Sequence, residues 1–257
     1  MTGIQSWIQA SRPLAHVNIA VPLALGQVAA WHVTGPDSGR RTLLSGGSGV
    51  IPEGKLTARQ VGRAATVAAI LLLLYSCALA LVGRAWTPLY ALAALLLMWL
   101  YSFPPARLSY RGGGELLQGI GVGIALPSLG YYMQVEGALA PGWVVGPAAL
   151  LGVCSNVLTA LPDIEDDTRA HKNTWPVRHG MQPARRFASA GIAFAAFGVF
   201  LWTPLVSVAA KAGIAIGTAL PLLGGARARD PFRAAWWSSI AINLLIALWM
   251  LAMVLKL

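Results

Sequence analysis

Eight apolar runs, each roughly 17 to 22 residues long, dominate this chain and limit what it can fold into. A helix needs about 20 residues to cross a hydrocarbon core about 30 Å thick. The runs lie near 14–33, 64–83, 86–103, 116–134, 143–161, 187–205, 208–224 and 235–256. Composition excludes an ordinary soluble domain, because only 11% of the residues are charged against about 25% in such domains. The expected fold is therefore all-α, a multi-pass transmembrane helix bundle forming one domain over residues 1–257. Gly and Pro inside the runs, such as Pro22, Gly119, Gly121, Gly123 and Pro127, weaken soluble helices, but membrane bundles tolerate them and pack closely on small residues. The first run follows a lone Arg12 and has no small-residue cleavage site, so it is expected to be retained as a span. Cys77 and Cys154 both lie within apolar runs and are read as packing residues.

Orientation follows from where the cations fall in short connections. Segments 104–115, 162–186 and 225–233 together hold Arg107, Arg111, Arg169, Lys172, Arg178, Arg185, Arg186, Arg227, Arg229 and Arg233. The alternate connections hold only Arg84 and Lys211, so the first set is assigned to the cytoplasm. Segment 35–63, with Arg40, Arg41, Lys55, Arg59 and Arg63, belongs on the same side. Only one apolar run precedes it. The alternation thus fails at one place, the irregular junction over 34–63: a crossing is missing, residues 14–33 re-enter, or the N-terminus lies outside. Basic connections beside anionic lipid account for the net charge of +10, and nucleic-acid binding has no support.

The scarce carboxylates are not spread evenly. Of nine acidic residues, four (Asp163, Glu165, Asp166 and Asp167) fall within the stretch LPDIEDDTRAHKNTWPVRHG at 161–180. Pro162 suits the first residue of a helical turn, which would place Asp163 and Asp167, at i and i+4, on one face. Such a pair supplies hard oxygen ligands for Mg²⁺, and Arg169, Lys172 and Arg178 close behind suit a diphosphate. The same stretch also reads as a solvated loop whose carboxylates offset neighbouring arginines in weak surface pairs. Arg107 reads either as a diphosphate ligand or as a cytoplasmic loop cation. Asn156 and Thr159 read as cavity-facing or as hydrogen-bonding between helices. His16 and Asn18, polar within the first run, form a second site hypothesis. Trp86, Trp143 and Trp202, near run ends, are read as interfacial anchors.

PDIEDDTRAHKNTWPVRHG resembles the second aspartate-rich motif of the UbiA superfamily of intramembrane prenyltransferases, in its naphthoate-prenylating, menaquinone-type form. The matching positions are Asp163, Asp167, Lys172, Thr174, Val177, Arg178 and Gly180; the residues just before Asp163, Leu161 and Pro162, depart from that pattern. YSFPPARLSYRGGGELLQG (101–119) resembles the family's connection after its fourth helix, SGGSGVIPEGKLTARQVGRAA (45–65) the loop into its third, and SRPLAH its opening Arg-Pro. The resemblance implies a site facing the cytoplasm of a bacterial plasma membrane, with Mg²⁺ on Asp163 and Asp167, diphosphate held by Lys172, Arg178 and Arg107, and Asn18 touching an aromatic acceptor. The implied activity is transfer of a prenyl chain from its diphosphate to that acceptor, in quinone biosynthesis.

Members of that superfamily have nine helices, and the second ends in a first aspartate-rich motif. This chain passes directly from GQVAAWHVTGPDSG to RRTLLSGGSG, so about eight spans are expected and half of the metal site is missing. Asp37 is the only carboxylate between residues 1 and 52, and its GPDSG setting reads as a turn. Three origins fit the gap: deletion from an active enzyme, a natural divergent member using another acidic group or another chain, or a fragment with an altered reading. The fit on both sides of the gap favours deletion. The second functional reading is accordingly a non-enzymatic relative that binds a lipid diphosphate or a partner.

Overall fold

A computed structural model of the chain describes residues 57–135, 140–204 and 206–255. The first run at 14–33, Asn18, His16, Asp37 and most of the junction at 34–63 lie outside the described residues. Within them the protein is helical throughout, with no strand, and six helices are long and apolar enough to cross a membrane. The chain is an all-α integral membrane bundle. Outward-facing Leu220, Ile216, Phe194 and Leu71 are more than half exposed, a surface that lipid covers and water would not.

Two compact units divide at Ala106 and Arg107. The first contains the helical hairpin α1 (Ala58–Leu81) and α2 (Thr87–Ser102). Thr57 opens α1 with a reciprocal capping box to Gln60, which satisfies two of the amides a helix start leaves unpaired. Thr87 closes the hairpin, its Oγ1 donating to Ser76 O and to Arg84 O, each at 2.7 Å. Trp86 stands exposed at the α2 N-cap, and Cys77, read as packing, is exposed.

The second unit begins with two short helices, α3 (Leu108–Arg111) and α4 (Gly114–Gln118). A π-helical segment, Gly119–Ala125, continues α4 into α5 (Leu126–Gln134), making one span of Gly114–Gln134. After it come α6 (Gly142–Thr159), the connection helices α7 (Ile164–Arg169) and α8 (Trp175–His179), and the spans α9 (Met181–Trp202), α10 (Val208–Arg227) and α11 (Pro231–Leu255). Its core is a seam of small and branched residues. Pro147, Leu151, Cys154 and Leu158 repeat every three or four residues along α6, with Leu161 just past its end, and Ala184, Ala188, Ile192, Ala195 and Val199 do so along α9. Alanine on one side of the seam lets the two backbones approach. Gly191 of α9 admits the Cys154 sulfur, so Cys154 packs as expected. Trp143 departs from its anchor reading: its ring meets Trp249 edge-on at 6.2 Å, against the core.

Three helices start four or more residues ahead of the expected runs, α1 among them, its capping box at Thr57 setting the start. The α9 helix starts at Met181, six residues before the apolar run, since Arg185 and Arg186 join its first turns with their charged heads in the connection. The α11 helix starts at Pro231 because the Asp230 carboxylate accepts the Arg233 N–H at 2.7 Å and proline suits the first helical position. The connection at 162–186 is consequently mostly helical, and only its turns are loop.

Candidate functional site

The basic connections of the second unit gather at one end. Arg185, at the start of α9, donates to Ala228 O beyond the end of α10. The segments 107–115 and 172–178 join there through three hydrogen bonds. Asn173 N–H donates to Tyr110 O at 2.9 Å, Trp175 N–H to Glu115 Oε1 at 2.6 Å, and Arg178 Nη2 to Gly112 O at 3.3 Å. Gly112 takes a φ of +86°, and a methyl group there would stand 2.7 Å from Arg178 Cζ and 2.8 Å from Asn173 O, so only glycine allows this approach.

Local backbone chemistry explains how Asp167 and Lys172 meet. Asp163 is the N-cap residue of α7, and the Asp167 N–H bonds its carbonyl at 2.7 Å, so the two aspartates stand one helical turn apart as expected. The helix ends in a Schellman arrangement: Lys172 N–H bonds Asp167 O at 2.8 Å and His171 N–H bonds Thr168 O at 3.1 Å. The left-handed residue this needs is His171, with φ +54°. The reversal returns the Lys172 ammonium to the same residue, 2.9 Å from Asp167 Oδ1. Thr174 Oγ1 lies 3.4 Å from Oδ2. Because glycine occupies the left-handed region without a Cβ penalty, His171→Gly should stabilise this turn by about 1 kcal/mol. Thermal unfolding in detergent checks it; a lower midpoint than wild type counts against the turn.

Burial divides the acidic cluster. Asp167 is 7% exposed, whereas Glu165 is solvent-facing and pairs with Arg169 at 3.6 Å. Asp166 also pairs with Arg169, at 3.1 Å, with a guanidinium that is itself mostly exposed. Glu165, with Arg169, fits the solvated reading, and such pairs contribute little; the Asp166 side chain is 28% exposed and stands between Glu165 and Asp167 in burial. Asp167 does not fit that reading, because a buried carboxylate is retained only with partners.

The cations gather beside it. Arg107, itself left-handed at φ +41°, places its guanidinium 4.1 Å from the Tyr110 ring centroid, and Lys172 Nζ lies 5.5 Å from the same ring. Arg107 and Lys172 therefore share one tyrosine, and Asp167 joins them through Lys172. Arg178 is exposed and held at Gly112 O. Thr159 Oγ1 bonds Asn156 O within its own helix, at 3.1 Å, and not across helices. Sequence reasoning passed over Glu115 and Tyr110. The available signal for Glu115 was an acid at the start of an apolar run in a chain with so few.

Carboxylate oxygens one helical turn apart are the donor chemistry a hard divalent cation takes, and such a cation keeps several waters and substrate oxygens besides. Asp163 and Asp167 fit that partial role; among the described residues no group of three or more His, Cys, Asp or Glu side chains converges. Arg107 and Lys172, brought to one ring, and Arg178, held apart at Gly112 O, have the donor chemistry that an anion with several oxygens takes.

The model of the UbiA prenyltransferase family matches residues 48–251. No curated protein and no solved structure gives a match.

Proposed function

Since the chain belongs to the UbiA prenyltransferase family, a family of membrane prenyltransferases, we propose that it moves a prenyl chain from an allylic diphosphate to an aromatic acceptor, using Mg²⁺. The single observation that carries this reading is Asp167, buried yet held against Lys172 at 2.9 Å beside Arg107 and Tyr110. A carboxylate among surplus cations suits a site that takes a polyanion together with a divalent cation.

Asp163 and Asp167 would hold the metal, and Lys172, Arg107 and Arg178 the diphosphate. When bound, Mg²⁺ neutralises charge on the departing diphosphate. The chain's own residues do the rest. Lys172 and Arg107 direct positive charge at oxygens that gain negative charge as the allylic bond lengthens, and they do so from fixed positions. Acceptor contacts are assigned to Asn18. The Asp-x-x-x-Asp, Lys-x-Thr and Val-Arg-x-Gly pattern supports a dihydroxynaphthoate acceptor and a place in quinone biosynthesis, with the site facing the cytoplasm of a bacterial plasma membrane.

The test uses membranes bearing the full chain, geranylgeranyl diphosphate and 1,4-dihydroxy-2-naphthoate. Prenylated product should form with Mg²⁺ and fall by at least about 100-fold when EDTA removes it. A second reading, a non-catalytic relative that binds the diphosphate without turnover, is favoured by the absence of a first aspartate-rich motif between residues 33 and 45. It prevails if this chain makes no product while a version with a helix and motif restored at that point does.

A further inference from the structure

We propose that Glu115 is a positioning residue that holds the diphosphate-binding segment 172–178 in its binding conformation. The inference rests on the prenyl-diphosphate reading above.

Glu115 is one of only two buried acids among the described residues; Asp167 is the other. It lies in the first turn of α4, outside the aspartate-rich stretch, and its Oε1 accepts the Trp175 N–H at 2.6 Å. That amide opens α8, where a helix has donors without internal partners, so an external acceptor decides where the helix start sits. A charged acceptor makes the stronger bond. Of the three bonds joining 107–115 to 172–178, this alone uses an acceptor from a side chain of the first segment, and so is the one that a substitution in that segment removes outright.

The position of the bond gives it a consequence for the site. Lys172 and Thr174, the two groups on Asp167, stand on either side of Asn173, whose N–H is fixed to Tyr110 O. Trp175 follows at once. Fixing its amide to Glu115 therefore sets the segment that carries both groups, before any ligand arrives. Ligand binding then loses less free energy to ordering. Removing the bond should weaken affinity for the diphosphate more than it slows the reaction of what is bound.

The experiment compares wild type, Glu115→Gln and Glu115→Ala as full-length chains in nanodiscs. Three quantities are read: hydrogen exchange of the amides at 170–180, the dissociation constant of farnesyl diphosphate, and the split between KM and kcat. Glu115→Gln keeps a carbonyl acceptor and should stay within about three-fold of wild type in affinity. Glu115→Ala should lose protection at Trp175, weaken farnesyl diphosphate about ten-fold or more, and raise KM with little change in kcat. If Glu115→Ala does not accumulate, Glu115→Asp, one methylene short of Trp175, is read in its place. Wild-type affinity in the shortened variant, or a fall in kcat with KM unchanged, overturns the proposal. A wild type that does not bind farnesyl diphosphate overturns the prenyl-transfer reading and the affinity role with it; loss of Trp175 protection then still separates a clasp that exists from one that does not.

Discussion

Asp167→Asn is expected to lower prenyl transfer on the order of 100-fold or more, the size of effect seen when one fixed electrostatic group is lost from an active site. Asparagine keeps the shape and loses the charge. Lys172, 2.9 Å from Oδ1, then has a weaker acceptor in a partly buried position, and the local stability should fall by about 1–3 kcal/mol as a charge-assisted bond weakens. Asp166→Asn is the control. Its carboxylate pairs with a mostly exposed Arg169, so the expected loss is under about 1 kcal/mol, with transfer within about three-fold of wild type. Radiolabelled transfer in membranes reads both. Equal losses in the two variants would sink the distinction between the aspartates. A cycle combining Asp167→Asn with Lys172→Met should also be non-additive, because each single change removes the same pair.

The largest stability effect is expected at Gly123→Val. A side chain at Gly123 would run into the backbone of Ala148 and Ala149 in α6, and at Gly119 it would meet Val153 Cγ2 at 2.7 Å. Backbone cannot step aside as a flexible side chain can. The span Gly114–Gln134 must then move off α6, with a cost of about 3 kcal/mol or more, above the usual range for overpacking. Gly130, further along the same span, has nothing within 4 Å, so Gly130→Ala should be neutral or slightly stabilising. Unfolding in mixed micelles at rising SDS fraction compares the two. A Gly123→Val chain as stable as wild type would show that the close contact between the π-helical segment and α6 is not what holds this span.

Much of the fold is legible without coordinates, since each span declares itself through length and hydropathy. Apolar runs at 64–83, 116–134, 143–161 and 235–256 correspond to spans over Gly62–Leu81, Gly114–Gln134, Gly142–Thr159 and Pro231–Leu255. The run at 86–103 corresponds to Thr87–Ser102, 16 residues and so shorter than the six spans. Helix starts were harder to place, because polar first turns such as Met181–Arg186 carry no hydropathy signal. The site was legible as a cluster but not in its parts. Glu165, Asp166 and Asp167 read alike in sequence, and their separation into two partners of Arg169 and a buried partner of Lys172 depends on which side of α7 is covered. Glu115 was missed for a different reason: its partner is sixty positions away.

Sequence alone determined that this chain is a membrane bundle, that its charge collects in the connections, and that one acidic stretch stands apart, because the cost of placing polar groups in hydrocarbon acts on every residue independently of its distant neighbours. Tertiary structure alone decided that 107–115 and 172–178 form one clasp, and that Asp167, Lys172, Arg107 and Tyr110 share one place. Hydrogen bonds and ion pairs reach only about 3 to 4 Å, so no local pattern encodes them until the helices have packed.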